Sequence, residues 1–404
     1  MTISPPEVKS VGDVYELHWQ NERVYMRIDH IAEGDSITGE FNISLNGKDN
    51  KQEHLYQSRI NMLSSQGKKS LSDALHKRHD LEWETLIEQA CYRTIEAFRS
   101  GDPVLGIGDM PKREKPKYRL YPWIIEDGMT SMYGFGGSGK SYIAGFIVVM
   151  IQTGTHLIGF HPIQGNCLVL DWESCQEDWD ERIKAIASGM GMLTPLILYK
   201  RCYRTLSSDI LEIQKIVLTE NVKLVVIDSV GMASELTSEY HTSAIQMLRA
   251  ARSLGVSVLL IDHKTKQNEL FGSIYKMNEV RSAFEIKSVA EAGGNTMDIS
   301  IKHTKINNGA LTKPLGLHIE FKGTEDSTEQ ATFSRVEITD IPELAKEEPL
   351  WIQIRADLKR GPMTVEALSE DLGVEEASIR TNLNRHKETF VKTEKGWGIL
   401  DKPE

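Results

Sequence analysis

Apolar residues recur in short runs between about residues 120 and 335, and segments with helical spacing separate the runs. The runs that predict strands are 129–133, 166–171, 196–200, 222–228, 256–262, 297–303 and 315–321. Buried strands that alternate with helices are typical of a mostly parallel sheet covered by helices, so we predict an α/β domain over 121–340. The last two runs are joined through residues 306–309 and predict a terminal antiparallel hairpin.

The first hundred residues show a different pattern. Strand-like alternation or β-branched content marks 14–19, 23–28 and 36–45, and polar turns separate these segments. Residues 80–99 have helical spacing with one apolar face. We therefore predict a small α+β module over 1–110, which would serve docking or oligomerisation. A charged, proline-containing linker follows at 111–120, either as a solvated connector or as a contact with nucleic acid or another subunit.

The pattern changes again after residue 340. Helices are predicted at 349–358, 365–372 and 375–386, and short apolar runs at 390–393 and 397–400 flank a polar turn. Three helices and a hairpin are typical of a winged helix, which we predict over 345–404. Its third helix carries or precedes Arg380, Asn382, Asn384, Arg385 and Lys387, where such folds contact DNA. Acidic and basic residues are balanced in this segment, so a protein partner is the open alternative.

Composition narrows the class of protein. A chain of 404 residues is long enough for two or three domains. No apolar run approaches the ~18 residues of a membrane span, and no export signal is visible at the N-terminus, so we expect a cytoplasmic protein without membrane contact. The four cysteines lack the spacing of a disulfide framework or zinc site. A net charge of −11 argues against coating nucleic acid with the whole surface, but a local basic channel remains compatible.

Residues 134–141 match the phosphate-loop pattern G-x-x-x-x-G-K-[S/T]. They follow the predicted strand 129–133 and precede an apolar helical segment, which is the context such a loop requires. Glycines let successive N–H groups point at phosphate oxygens, Lys140 can reach the β- and γ-phosphates, and the Ser141 hydroxyl can ligate Mg²⁺. The predicted nucleotide-binding residues are Gly134, Gly136, Gly137, Ser138, Gly139, Lys140, Ser141 and Tyr142. The sequence therefore predicts binding of a nucleoside triphosphate.

Carboxylates follow two of the predicted strands. The apolar run 222–228 ends in Asp228, which we predict on the magnesium side of the site; capping of the next turn is the plain alternative. The run 166–171 leads into Glu173, our predicted catalytic base, with Asp171 as the second candidate. Carboxyl ends of parallel strands share one edge of the sheet, where ligands of open α/β sheets bind. Several acidic residues follow Glu173, so a surface position is its alternative.

A third strand, 256–262, is followed directly by His263. A histidine at that edge can hydrogen-bond the γ-phosphate and report hydrolysis to the following loop. A structural or merely exposed histidine is the alternative interpretation. Residues 264–276 are polar and predict either a mobile loop that faces DNA or a plain solvated loop.

In this order, Gly134–Ser141, Asp171–Glu173, Asp228 and Asp262-His263 resemble the RecA-like ATPase core. The resemblance covers about 120–325 and is greatest to RepA-type hexameric plasmid and phage helicases and their AAA relatives. It implies ATP and Mg²⁺ as cofactors, an acid after the second strand that activates water, and a strand-end histidine that senses phosphate. It also implies nucleotide bound between subunits, with a cationic residue supplied by the neighbour.

The related replicative helicases carry that cation near a Lys-x-Arg-Asn-Gly pattern on a late hairpin. Here Lys305 matches, but Asn307 stands where the arginine is expected. Arg281 is the alternative residue acting in trans.

Together these features favour an ATP-dependent, ring-forming motor, a hexamer by resemblance, that acts on single-stranded DNA in plasmid- or phage-type replication. Two alternatives remain open. One is a nucleotide-switched regulator or loader that does not unwind DNA, and the other is a recombinase that forms filaments. Stimulation of ATP turnover by single-stranded DNA separates the motor from the switch, and closed rings separate it from a filament.

Overall fold

A computed structural model gives the fold of residues 3–46, 52–100, 117–234, 240–264, 278–291, 293–307, 309–324, 327–346 and 348–400. The N-terminal part is a sheet of five described strands, paired antiparallel in chain order and followed by two helices. Its elements are β1 (Glu7–Val11), β2 (Val14–Trp19), β3 (Val24–Glu33), β4 (Ile37–Asn46), β5 (Gln52–Asn61), α1 (Ser65–His76) and α2 (Trp83–Ser100).

One face of this sheet packs against the helices. Along β4 the burial alternates, so Phe41 and Ile43 point inward and join Trp83 of α2 in one hydrophobic cluster. The sequence pattern predicted β2, β3, β4 and α2, but it missed β1, β5 and α1. The residues of β1 are mostly exposed, and β5 is rich in polar residues. Both are edge strands with little apolar surface to bury, so they leave a weak hydrophobic signal.

The central sheet contains nine described strands. Its members are β8 (Met129–Gly134), β9 (Asn166–Asp171), β10 (Leu198–Arg201), β11 (Val222–Asp228), β12 (Ser257–His263), β13 (Ser282–Val289), β14 (Thr296–Ile306), β15 (Leu315–Gly323) and β16 (Thr328–Val336). The spatial order is β10-β9-β11-β12-β8-β13-β14-β15-β16. The first six strands in this order run parallel, and β14, β15 and β16 continue the sheet antiparallel. The predicted α/β architecture with a mostly parallel sheet is confirmed.

A short pair, β6 (Tyr118–Leu120) and β7 (Ile124–Ile125), leads into the sheet. The helices between its strands are α3 (Lys140–Thr153), α4 (Gln176–Gly189), α5 (Leu206–Thr219), α6 (Val230–Ala233) and α7 (Tyr240–Ser253). Helix α3 is buried on all sides from Ile143 to Ile151. The antiparallel strands cover its outer face, where the Phe333 ring stacks on Phe146 with 4.2 Å between centroids. Because α3 carries the phosphate loop at its start, this double cover anchors the loop in the core.

Two strands of the central sheet escaped the sequence prediction. Strands β13 and β16 alternate apolar and polar residues, whereas our parallel strands were predicted from continuous apolar runs. The hairpin of β14 and β15 is antiparallel as predicted, but it is not terminal because β16 pairs with β15. Strand β10 begins at Leu198 and not at 196.

The C-terminal part contains a 3₁₀ turn (Ile338–Asp340) and the short helix α8 (Pro342–Ala345). It continues with α9 (Leu350–Leu358), α10 (Val365–Leu372), α11 (Glu376–Arg385), β17 (Phe390–Thr393) and β18 (Gly396–Ile399). Thr364 caps α10 by accepting a hydrogen bond from the Ala367 N–H at 3.2 Å. Ile354, Leu368, Leu383 and Phe390 belong to one separate apolar cluster. Within the described ranges, no helix is long and apolar enough to cross a membrane.

Candidate active site

The phosphate loop connects the end of β8 to the start of α3. Gly134 ends β8 so close to the neighbouring strand that a side chain there would collide with the Ile286 carbonyl oxygen. Gly139, directly before α3, has φ of +78°, a left-handed conformation that glycine adopts without strain. Both positions therefore require glycine, and the turn directs the positive end of the α3 dipole into the loop.

Lys140 lies inside the loop and is only 4% exposed. Its Nζ donates to the carbonyl oxygens of Phe135 at 2.7 Å and Gly134 at 3.1 Å. Burial lowers the pKa of Lys140, while the charges of Asp228, Glu173 and Asp262 act in the opposite direction. Loop carbonyls thus hold the ammonium group at the place where the phosphates of a nucleotide would bind.

Ser141 and Asp228 meet beside the loop. The Ser141 hydroxyl donates to Asp228 Oδ2 at 3.0 Å, across 87 positions of sequence. Burial raises the pKa of Asp228 to about 6, against the lowering effect of the Ser141 hydrogen bond. A hydroxyl and a carboxylate are hard oxygen ligands of the kind Mg²⁺ takes, so these two residues fit the ion and would hold it. When bound, Mg²⁺ supplies positive charge that neutralises phosphate oxygens.

Glu173 and His263 form a pair at the same edge of the sheet. Strands β9 and β12 are separated by β11, yet the two side chains meet with 3.1 Å between Glu173 Oε2 and His263 Nε2. The hydrogen bond from His263 lowers the pKa of Glu173, and burial opposes this shift. Glu173 is therefore an ionised, half-exposed carboxylate close to the loop, as a proton acceptor requires.

Asp171 is only two residues away, but its surroundings differ completely. Its side chain is fully buried and accepts hydrogen bonds from the Glu173 and Ser174 N–H groups, each at 2.9 Å. The hydroxyls of Ser174 and Tyr199 donate to its other oxygen at 2.9 and 2.8 Å. Both oxygens of Asp171 are thus engaged in holding the turn that presents Glu173, which supports Glu173 over Asp171 as the candidate base.

The two candidate trans-acting cations lie at the other end of the parallel strands. The backbone N–H of Arg281 donates to the carbonyl oxygen of Met129 at 2.9 Å, where β8 begins. Lys305 Nζ donates to the carbonyl oxygen of Val280 at 2.7 Å, next to Arg281. The length of β8, about 20 Å, separates this edge from the phosphate loop. The structure therefore brings Arg281 and Lys305 together but not with Lys140 of the same chain.

Of the predicted loop 264–276, residues 265–276 lie outside the described part of the chain. Lys264 is described and forms an ion pair with Glu285 of β13. This ion pair anchors the chain directly after His263 to β13.

Arg182 of α4 is a residue near the site that the sequence pattern did not predict. Its guanidinium carbon lies 4.8 Å from the ring centroid of Trp179 and 5.4 Å from that of Tyr142. Burial is the largest influence on the pKa of Asp228 and raises it. The Ser141 hydrogen bond lowers this pKa, and the charge of Arg182 lowers it further. One signal was available: Arg182 interrupts the buried stripe of Trp179, Ile183 and Ile186 along α4, where an apolar residue is expected.

Comparison with known proteins gives a family match over part of the chain. Residues 98–269 match the sequence model of a family described as AAA domain. A search of curated proteins found no significant match. Among solved structures, the chain is similar to the KaiC-like protein PH0186 from the hyperthermophilic archaeon Pyrococcus horikoshii OT3, with 13% identity and a TM-score of 0.38. That likeness covers 55% of this chain and 98% of the other, and its score is too low to carry an argument.

The family match coincides with the phosphate loop, with the acids after β9 and β11, and with most of the parallel sheet. Residues 98–269 are thus similar to an AAA domain, and they contain the phosphate loop, Glu173 and Asp228.

Proposed function

We propose that this protein hydrolyses ATP and is a ring-forming motor that moves along single-stranded DNA in plasmid- or phage-type replication. The observation that supports it most is the Glu173–His263 pair, 3.1 Å apart, at the sheet edge that also holds Lys140 and Asp228. A nucleotide switch needs the loop and the magnesium ligands. A hydrolase also needs a base near the γ-phosphate, and Glu173 answers that need.

In the proposed reaction, Lys140 and the loop N–H groups bind the β- and γ-phosphates. The oxygen of a water molecule bonds to the γ-phosphorus, the bond to the β-phosphate oxygen breaks, and Glu173 accepts a proton from the water. Binding of ATP gives His263 a second acceptor, a γ-phosphate oxygen. A His263 side chain that turns to the phosphate releases Glu173 for the water, which couples the base to the presence of substrate.

The position of the cations supports nucleotide sites shared between subunits. Arg281 and Lys305 lie at the edge opposite their own phosphate loop, and in the proposed ring this edge faces the loop of a neighbouring copy. Positive charge added to the γ-phosphate from a neighbour accelerates hydrolysis by stabilising the transition state. We propose a hexamer on the resemblance to RepA-type helicases.

The C-terminal part is proposed to be a winged helix that contacts DNA or a partner protein. Arg380, Asn384 and Arg385 are exposed on α11, and Lys387 follows it. Arg380 is ion-paired with Glu376 at 2.7 Å, which reduces its availability for phosphate and keeps a protein partner open.

Phosphate release with and without a single-stranded oligonucleotide tests the motor, together with particle mass in the presence of an ATP analogue. We expect hydrolysis by the wild type that the oligonucleotide stimulates, hexameric mass, and no hydrolysis by Lys140→Ala. Lys184→Ala, on the exposed face of α4, is the matched control and should behave as wild type. Hydrolysis without stimulation would favour the regulator or loader, and open-ended assemblies would favour the filament-forming recombinase.

A further inference from the structure

Two nitrogens of the Arg182 guanidinium group are buried without a hydrogen-bond partner in the described part of the chain. Among the described residues, its Nε and Nη1 atoms are inaccessible to solvent and have no hydrogen-bond partner. The rings of Trp179 and Tyr142 contact the guanidinium group, but aromatic faces accept no strong hydrogen bond. Leaving such donors unsatisfied costs free energy comparable to a lost charged hydrogen bond, so an acceptor is missing from this place.

Two other arginines of the same domain, Arg119 and Arg201, each have an acidic partner within the chain. Arg119 is 6% exposed and pairs with Glu126 at 3.0 Å. Arg201 pairs with Asp171 at 3.4 Å. Arg182 has no carboxylate within ion-pair distance in the described part of the chain. Arg119 Nε is also buried without a hydrogen-bond partner, but Arg119 has Glu126 to compensate its charge, whereas Arg182 has no such acid among the described residues.

Arg182 also lies close to the phosphate loop. Tyr142, which its guanidinium contacts, directly follows Ser141 in the first turn of α3. Gly145, one turn further, would place a Cβ only 3.5 Å from Arg182 Cδ. The side chain thus crosses the start of α3, beside the residues that would hold Mg²⁺ and phosphate. Asp228 is close enough to feel its charge, but Asp228 Oδ2 already accepts the Ser141 hydroxyl.

We infer that Arg182 is a nucleotide-binding residue whose guanidinium donates to a phosphate oxygen of the bound nucleotide. This inference rests on the proposed nucleotide site. A planar guanidinium matches phosphate geometry with two parallel N–H groups, and the rings of Trp179 and Tyr142 hold its plane before the ligand arrives. The nucleotide supplies the acceptor that the protein omits, so binding satisfies a group that is unfavourable in the free protein.

The test measures nucleotide affinity and thermal stability on the same full-length variants. Arg182→Met keeps the length of the side chain but removes its charge and donors. Lys184→Met, on the exposed face of the same helix, is the matched control. The probes are Mg²⁺ with ADP and Mg²⁺ with a non-hydrolysable ATP analogue. We expect Arg182→Met to bind both nucleotides at least about tenfold more weakly, and Lys184→Met to bind as wild type does.

Thermal stability without nucleotide separates a binding role from a structural one. A residue that waits for a ligand costs the free protein stability, so Arg182→Met should melt at the same temperature as wild type or higher. At a nucleotide concentration that saturates the wild type, the rise in melting temperature should be smaller for Arg182→Met than for the wild type, because stabilisation follows occupancy. A lower melting temperature without nucleotide, combined with unchanged affinity, overturns the inference.

Arg182→Lys is measured in parallel in case Arg182→Met folds poorly. Lysine keeps the charge but lacks the planar pair of donors, so we expect affinity between those of wild type and Arg182→Met. Wild-type affinity in Arg182→Lys, with Arg182→Met unfolded, also overturns the inference. Failure of the wild type itself to bind nucleotide contradicts the proposed function, whereas binding that ignores Arg182 contradicts this inference alone.

Discussion

Buried acidic residues occur both in the N-terminal sheet and at the carboxyl edge of the central sheet, but they differ in whether cations compensate their charge. Asp29 of β3 is fully buried, with Lys215 Nζ at 2.7 Å, His30 Nδ1 at 2.6 Å and Arg27 Nε at 3.5 Å. Asp228 of β11 is 5% exposed, and its hydrogen bond in the described part of the chain comes from the neutral Ser141 hydroxyl.

The difference shows which acids stabilise the fold and which are available to a ligand. Cations from the same chain compensate Asp29, and Lys215 lies on α5 of the central domain, so this pair also joins the two parts of the molecule. Among the described residues no cation forms an ion pair with Asp228, and the pKa of Asp228 is raised to about 6, chiefly by burial. The same contrast separates Asp171, whose oxygens are all engaged, from Glu173, which is half exposed.

The largest expected effect concerns Glu173. Glu173→Gln removes the proton acceptor but keeps shape and polarity, so we expect ATP turnover to fall about 10³-fold while ATP remains bound. Phosphate release and nucleotide binding measure the two properties separately. Glu177→Gln, an exposed acid in the first turn of α4, is the control and should retain wild-type turnover. Normal hydrolysis by Glu173→Gln would show that the base is a different group.

The second-largest expected effect concerns Asp171. Asp171→Asn replaces a carboxylate that accepts from four donors and faces Arg201, so we expect the free energy of unfolding to fall by about 3 kcal/mol. Denaturant unfolding followed by circular dichroism measures the loss. Asp178→Asn, an exposed acid of α4, serves as the reference. Wild-type stability in Asp171→Asn would remove the contrast with Glu173.

The third effect is the pH dependence of the nucleotide-free protein. The pKa of Asp228 is about 6 in the folded state against an ordinary value of 3.8, so the folded protein binds this proton more tightly than the unfolded chain does. The resulting stability is complete below about pH 4 and is lost as pH rises through about 6, by about 3 kcal/mol. Asp228→Asn cannot titrate, so the difference between its unfolding profile and that of wild type should show this slope. A flat difference would contradict the raised pKa.

The smallest effect concerns Lys215. Lys215→Met leaves Asp29 buried with His30 and Arg27 as remaining partners, so we expect a loss of about 1 kcal/mol in unfolding free energy. The double variant Asp29→Asn with Lys215→Met should recover part of this loss, because the uncompensated charge is then absent. Additive losses in this double-mutant cycle would show that the two residues do not stabilise each other.

Much of the central domain was predictable from local pattern. The phosphate loop, the strand before it and the helix after it depend on glycine placement and apolar runs within about twenty residues. The run that ends in Asp228 was equally clear, because a strand buried on both faces must be continuously apolar. Strand β13 was missed although it pairs directly with β8, since Glu285 and Lys287 interrupt its apolar pattern. Those charges are compensated by pairing with each other and with Lys264, which local pattern does not reveal.

The sequence by itself determined that a phosphate loop follows a buried strand and that acids end two later strands. It ranked Glu173 ahead of Asp171 as the base but could not exclude Asp171, because both stand at the same strand end. The choice depends on Tyr199, 28 positions away, which engages Asp171, and on His263, 90 positions away, which pairs with Glu173. The tertiary structure also put Arg281 and Lys305 at the edge opposite the loop and left two Arg182 nitrogens without an acceptor among the described residues. Charge compensation acts over a few ångströms in space, whatever the separation along the chain, and so only the fold decides it.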